Sequence, residues 1–225
     1  MFSKIKFSNE KEREEFEKYR KLKGTALYFQ IYSILMKNCE SITYRQFSSY
    51  IRYDKHLRNK LYDYMATLEE YCRAQLLERF DVASPKKYCS HCFGKLQNDL
   101  IPKTEAYSTL YYGFQPDFGD LMHICAERDI CDISGSDQKA IKDLRNDTMH
   151  HSMIMFGSAR TTVELTDHFK VLENRLNAFC SALPIEYRAG FLSDISALNE
   201  TRNRGGKHLQ KYYLEVQNGR ICVKA

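Results

Sequence analysis

Residues 57–80 read LRNKLYDYMATLEEYCRAQLLERF. Leu57, Leu61, Met65, Leu68, Cys72, Leu76 and Phe80 recur at steps of three and four, which puts them on one face of a helix. An alternating strand cannot gather that set on one side, and neither Gly nor Pro interrupts it. The stretch predicts a long amphipathic helix from about Asp54 to Asp81, stopped by Ser84-Pro85. Its other faces carry Arg58, Glu69, Glu70 and Arg73. Glu69 and Arg73, four apart, are spaced for a surface ion pair.

Toward the N-terminus, Asn9 with Glu12 three residues later marks a helix start. Acids come early in that segment and bases late, as the helix dipole prefers, and Gly24 can end it. Its apolar stripe is only Phe16, Tyr19 and Leu22, so a surface helix is expected. Thr25–Lys37 holds Leu27, Tyr28, Ile31, Ile34 and Leu35 and predicts a buried helix. Thr43–Tyr50 predicts a short one. Downstream, 84–116 contains Pro85, Gly94, Pro102, Gly113 and Pro116 and is read as loops with a short helix near 88–99. Further helices are expected over Asp117–Glu127, from a Ser136 cap toward a stop at Gly157, and over Val163–Ala182 and Ile185–Thr201. The tail changes period: Tyr212–Val216, then Gln217-Asn218-Gly219, then Ile221–Val223. An Asn-Gly pair between β-favouring runs predicts a hairpin. The expected fold is one all-α domain over 1–225 with a small C-terminal β-hairpin at about 205–225.

The composition agrees with a folded helical chain. Of 225 residues, four are Pro and ten Gly, while 43% are hydrophobic and 28% charged, which excludes the disordered class. The net charge of +5 is unevenly spread. Arg45, Arg52, Lys55, Arg58 and Lys60 crowd 42–60, and a second basic group lies in 202–225. Residues 115–147 carry eight acids against four bases. No apolar run is long enough to span a bilayer, and Met1–Asn9 lacks the core of a secretion signal. The eight cysteines follow no disulfide-framework spacing, so reduced thiols and a cytoplasmic location are expected. Cys89-Ser90-His91-Cys92 offers zinc-ligand types, with Cys125 and Cys131 as a second pair. Set against the bland alternative of unliganded thiols, the expectation is no metal and no cofactor.

The chemistry-bearing stretch is Arg145-Asn146-Asp147-Thr148-Met149-His150-His151. On an ideal helix Ala140, Ile141, Leu144, Thr148 and Met155 form the core-facing side, and His151 falls among them. Asn146 and His150, four apart, share a polar face with Asp143, while Arg145 points sideways. Histidine can exchange a proton near neutrality. RNA supplies its own nucleophile in the 2′-OH, so a base, an acid and a cation for the phosphorane suffice. His150 can move the proton, Arg145 can hold the phosphate, and Asn146 can orient the ring or bond a phosphate oxygen. The solvated polar helix face is the alternative. A second Arg-to-His spacing, Arg202 to His208, spans Gly205-Gly206 and is discounted.

Leu144-Arg145-Asn146-x-x-x-His150-His151 resembles the RN-x-x-x-HH signature of HEPN domains in the bacterial abortive-infection (Abi) family. Leu57-Arg58 with Leu68-Glu69 and Arg73-Ala74 is similar to that family's first-half pattern. The matching regions are roughly Tyr44–Phe80 and Gln138–His151. Where the family often continues with a basic stretch containing Trp and Asn, Ser152-Met153-Ile154-Met155-Phe156 follows here. The resemblance implies a HEPN-like helical bundle in which two subunits set their motif helices together as one ribonuclease cleft. It implies Arg145 and His150 as catalytic residues with Asn146 beside them, and His151 as auxiliary. The expected function is a metal-independent endoribonuclease of antiviral defence, a toxin of abortive-infection type. Its partners would be RNA, a second copy of the chain and, for some members, an antitoxin protein or small non-coding RNA. A non-catalytic RNA-binding or partner-binding module is the alternative.

Overall fold

The computed structural model describes residues 1–37, 39–82, 100–102, 117–150, 152–202 and 211–224. The fold is mostly helical with a small C-terminal antiparallel strand pair. Helices α1 (Glu10–Lys23), α2 (Thr25–Met36) and α3 (Tyr44–Arg79) are followed by α4 (Phe118–Glu127), α5 (Gly135–Met149), α6 (Thr162–Ala182) and α7 (Ile185–Arg202). Among the described residues three two-stranded ladders accompany them: β1 (Ile5–Lys6) parallel to β2 (Ile42–Thr43), β3 (Phe80–Val82) antiparallel to β4 (Leu100–Pro102), and β5 (Tyr213–Gln217) antiparallel to β6 (Arg220–Lys224).

Helix α3 joins what the sequence divided into a short and a long helix. Its start is a reciprocal cap: Thr43 Oγ1 accepts from Gln46 N at 3.2 Å, and Gln46 Oε1 accepts from Thr43 N at 3.1 Å. Nothing between the two expected helices can break the ladder, because no Gly or Pro occurs in 44–79. The far end is shorter than expected. Phe80–Val82 leave the helix to pair with Leu100–Pro102, and that partner strand was read as loop. The helix expected near 88–99 lies outside the described residues.

The chain forms two compact units, each from separated segments. The first contains Met1–Lys60, Asp147–Asn174 and Leu192–Ala225; the second contains Leu61–Asn146 and Arg175–Phe191.

In the first unit Asn9 caps α1, accepting from Glu12 N at 2.9 Å, and Gly24 closes it with φ 97°. Phe16, 2% exposed, is the one deeply buried aromatic of α1 and packs edge-on against Phe2, Tyr28 and Tyr44. Tyr28, Ile31, Tyr32, Ile34 and Leu35 bury α2, as its composition predicts. The hairpin also forms as predicted, with Asn218 (φ 50°) and Gly219 (φ 74°) making the left-handed two-residue turn. Side chains from distant segments hold it. Tyr53 Oη accepts from Leu214 N at 2.9 Å, Tyr50 Oη accepts from Lys211 N at 2.8 Å, and Asn199 Nδ2 donates to Leu214 O at 2.7 Å.

In the second unit Leu61, Met65, Leu68, Cys72 and Leu76 are all buried, so the apolar face that opened the sequence reading is a core face. Each such side chain contributes roughly 1.5–3 kcal/mol relative to exposure. Glu69 and Arg73 pair at 2.8 Å on its outer side. Phe191 meets Tyr64 and Phe179 edge-on at 5.0 and 5.3 Å. Among the described residues no helix is long and apolar enough to cross a membrane.

Candidate active site

Helix α5 carries most of the motif. It starts two residues earlier than the Ser136 reading, because Ser134 is the cap. The Ser134 hydroxyl oxygen accepts from Asp137 N at 3.2 Å, and the Ser134 backbone carbonyl accepts from Asp137 N and Gln138 N. The Asp137 carboxylate in turn accepts from the Ser134 hydroxyl at 2.6 Å. Ser134-x-x-Asp137 was the readable signal, passed over in favour of Ser136. Ile141 and Leu144 are buried at 0% and 1% exposure, fixing the apolar stripe on the predicted side.

Arg145 belongs to the second unit, where its guanidinium lies over the Phe118 ring at 5.6 Å from the centroid. Its Nε is buried and meets no hydrogen-bond acceptor among the described residues. Asn146 is half-buried on the same helix. Asp143, expected on the polar face, pairs with Arg175 at 3.1 Å.

His150 belongs to the first unit and is exposed. The helix does not run on to Gly157: it ends at Met149, and His150 is the turn residue that follows. The ideal-helix argument for Asn146 and His150 as successive-turn neighbours therefore stops one residue short of His150. Ser152 N donates to Asp147 O at 2.9 Å, closing the end. His151 lies outside the described residues, as do Cys89, His91, Cys92 and His208.

The early helix end has a cause in the core. Met153, Ile154, Met155 and Phe156 are buried without being helical. Asp54, 0% exposed, accepts from Met155 N at 2.9 Å and pairs with Arg58 at 3.0 Å. A buried carboxylate needs such donors, and it competes with the helix for this backbone. Burial pushes the Asp54 carboxyl up to about 6, although the Met155 amide and Arg58 act to lower it. The His168 ring Nε2 donates to Ile154 O at 2.8 Å, and Gln30 Nε2 donates to Gly157 O at 2.6 Å. Gly157, at φ 53°, has the His168 ring directly where a Cβ would stand.

Asp54 and His168 went unremarked in the sequence. Asp54 had a signal: extending the Leu57–Leu61 ladder one step back lands on it, and an acid at a core position calls for a partner. Arg58, singled out by the resemblance, turns out to be that partner.

The first unit also gathers cations. Lys23, Arg52 and Lys55 are exposed and lie near Arg58. Burial, then repulsion from Lys55, Arg58 and Arg52, lowers the Lys23 pKa. With Arg58 paired to Asp54, the three exposed cations Lys23, Arg52 and Lys55 suit a polyanion better than a neutral ligand.

No protein-family model matches the chain, and neither a curated protein nor a solved structure matches it.

Proposed function

We propose that the protein is a metal-independent endoribonuclease of the HEPN type, acting in the cytoplasm as an abortive-infection toxin. Arg145, Asn146 and His150 would carry the reaction. The observation that supports it most is Arg145: a guanidinium steadied on Phe118, with a buried donor left without an acceptor, on the helix that leads into an exposed histidine. An unsatisfied buried donor is costly, and a phosphate oxygen is the acceptor such a group suits.

In the proposed reaction the 2′-OH of RNA loses its proton to a His150 ring and attacks the adjacent phosphorus. Arg145 neutralises the phosphorane, and the 5′-oxygen leaves as a hydroxyl, with a 2′,3′-cyclic phosphate on the other product. Acid and base come from two copies of His150 in a homodimer, so each chain supplies one Arg145 and one His150. The cluster of Lys23, Arg52, Lys55 and Arg58 would draw RNA to the dimer. An antitoxin protein or a small RNA would restrain it.

Labelled RNA incubated without added divalent cation and with EDTA tests this reading. Cleavage that His150→Ala abolishes, with binding retained, supports it. Wild type and His150→Ala that bind RNA alike and are equally inert would favour the non-catalytic module. Cleavage lost in EDTA and restored by Mg2+ would rule out metal independence.

A further inference from the structure

Three cysteines far apart in the chain converge in the second unit: Cys72 on α3, Cys125 on α4 and Cys131 just beyond α4. Their sulfur atoms lie within 4.8 Å of one another. Cys72 and Cys125 are 0% exposed and Cys131 is half-buried. None is in a disulfide. Four-coordinate zinc at its usual 2.3 Å sulfur distance sets ligand sulfurs about 3.8 Å apart. The cluster is therefore within roughly 1 Å of the closed geometry of a zinc site.

The turn that presents Cys131, and that also buries Ile130, has an unusual backbone. Asp129, Cys131 and Asp132 have φ of 51°, 65° and 50°, so three non-glycine residues of four adopt the left-handed conformation. Each costs of order 1 kcal/mol or more, and such strain persists where the surroundings or a ligand require it. Its first residues are held by two bonds: Ile130 N donates to Cys125 O at 2.8 Å, and Arg79 donates to Asp129 O at 3.5 Å.

We infer that Cys72, Cys125 and Cys131 bind one zinc ion, a site with a structural rather than a catalytic role. Zinc with three thiolates carries one net negative charge, and Arg79 is the nearby cation that offsets it. The acidic group beside the cluster is Asp132, itself paired with Arg188 at 3.6 Å. Zinc takes cysteine as the thiolate, so binding would release thiol protons. Among the described residues no fourth His, Cys, Asp or Glu joins the three sulfurs.

The whole chain, purified under reducing conditions and loaded with Zn2+, should retain one equivalent through gel filtration. With Co2+ in its place, the near-ultraviolet sulfur-to-metal band should have the intensity of three thiolates. Cys131→Ser, a change at the half-exposed position, should cut that band by a third and weaken zinc retention at least tenfold with the circular dichroism unchanged. Cys72→Ala, should it unfold, leaves Cys125→Ser and Cys131→Ser to decide. Zinc retained undiminished in both would place the metal elsewhere and overturn the assignment. So would a reduced wild type that holds no zinc, or one that takes up only Cu+. A Cys125–Cys131 disulfide formed in place of metal uptake would also overturn it.

Discussion

Asp54 and Met155 stand 101 positions apart in the chain and are joined by a 2.9 Å hydrogen bond in the core of the first unit. The acceptor is a fully buried carboxylate that also neutralises Arg58. Removing it leaves an orphaned amide and an unpaired, half-buried cation. Asp54→Ala should therefore destabilise by about 3–5 kcal/mol in a urea titration. A loss under about 1 kcal/mol would mean the pair is solvated in solution.

The same residue sets a pH dependence. Folded Asp54 keeps its proton up to about pH 6, whereas an unfolded aspartate gives it up near pH ~4. The folded state binds the extra proton in between. Its stability contribution is full below pH ~4 and is lost as pH rises through about 6. Across that window the wild type should lose stability relative to Asp54→Asn. A constant difference between the two from pH 4 to 7 would remove Asp54 as the titrating group.

Gly157→Ala should lower stability by about 2–3 kcal/mol. A left-handed φ costs alanine about 1 kcal/mol, and the new Cβ would stand 2.4 Å from a His168 ring carbon. The ring cannot swing away without losing its bond to Ile154. Adding His168→Ala should recover part of the loss, a non-additivity that a double-mutant cycle reads directly. Strictly additive effects would show that the ring yields freely.

His150→Ala should reduce RNA cleavage at least 100-fold while leaving the melting temperature within error, because the side chain is exposed. Arg145→Lys should cost a similar factor, since an ammonium can neither lie flat on Phe118 nor offer paired donors. RNA with a 2′-deoxy nucleotide at the cleavage point should be inert to the wild type. Cleavage of that substrate would refute 2′-OH attack.

Lys23→Gln, Arg52→Gln and Lys55→Gln should each weaken RNA binding about equally across sequences. Each should lower the slope of log affinity against log salt by about one. Unchanged salt slopes in all three would move the RNA path off this cluster.

The helices were legible because their signals are local. Asn9 before Glu12, Gly24 and the Leu57–Phe80 ladder each fix an element from a few neighbouring residues. The same holds for Asn218-Gly219 in the hairpin. What the sequence hid depends on partners far along the chain. The helix expected to continue through Met155 stops at Met149 because Asp54 takes a backbone amide there. Phe80–Val82 leave their helix because Leu100–Pro102 offer a strand. Cys72 looked like one more rung of an apolar ladder, and only the fold brings Cys125 and Cys131 to it. For the motif, Ile141 and Leu144 took the core side as read, while Arg145 found Phe118, a partner no spacing rule names.

The hairpin's anchors also impose an order in time. Leu214 and Lys211 bond to Tyr53 and Tyr50, residues each made 161 positions earlier. During synthesis those tyrosines wait, with the Asp54–Met155 link, for segments still inside the ribosome. The unit that carries His150 thus gains its last supports only after residue 214 has emerged. Until then the unit that carries His150 is incomplete on the nascent chain.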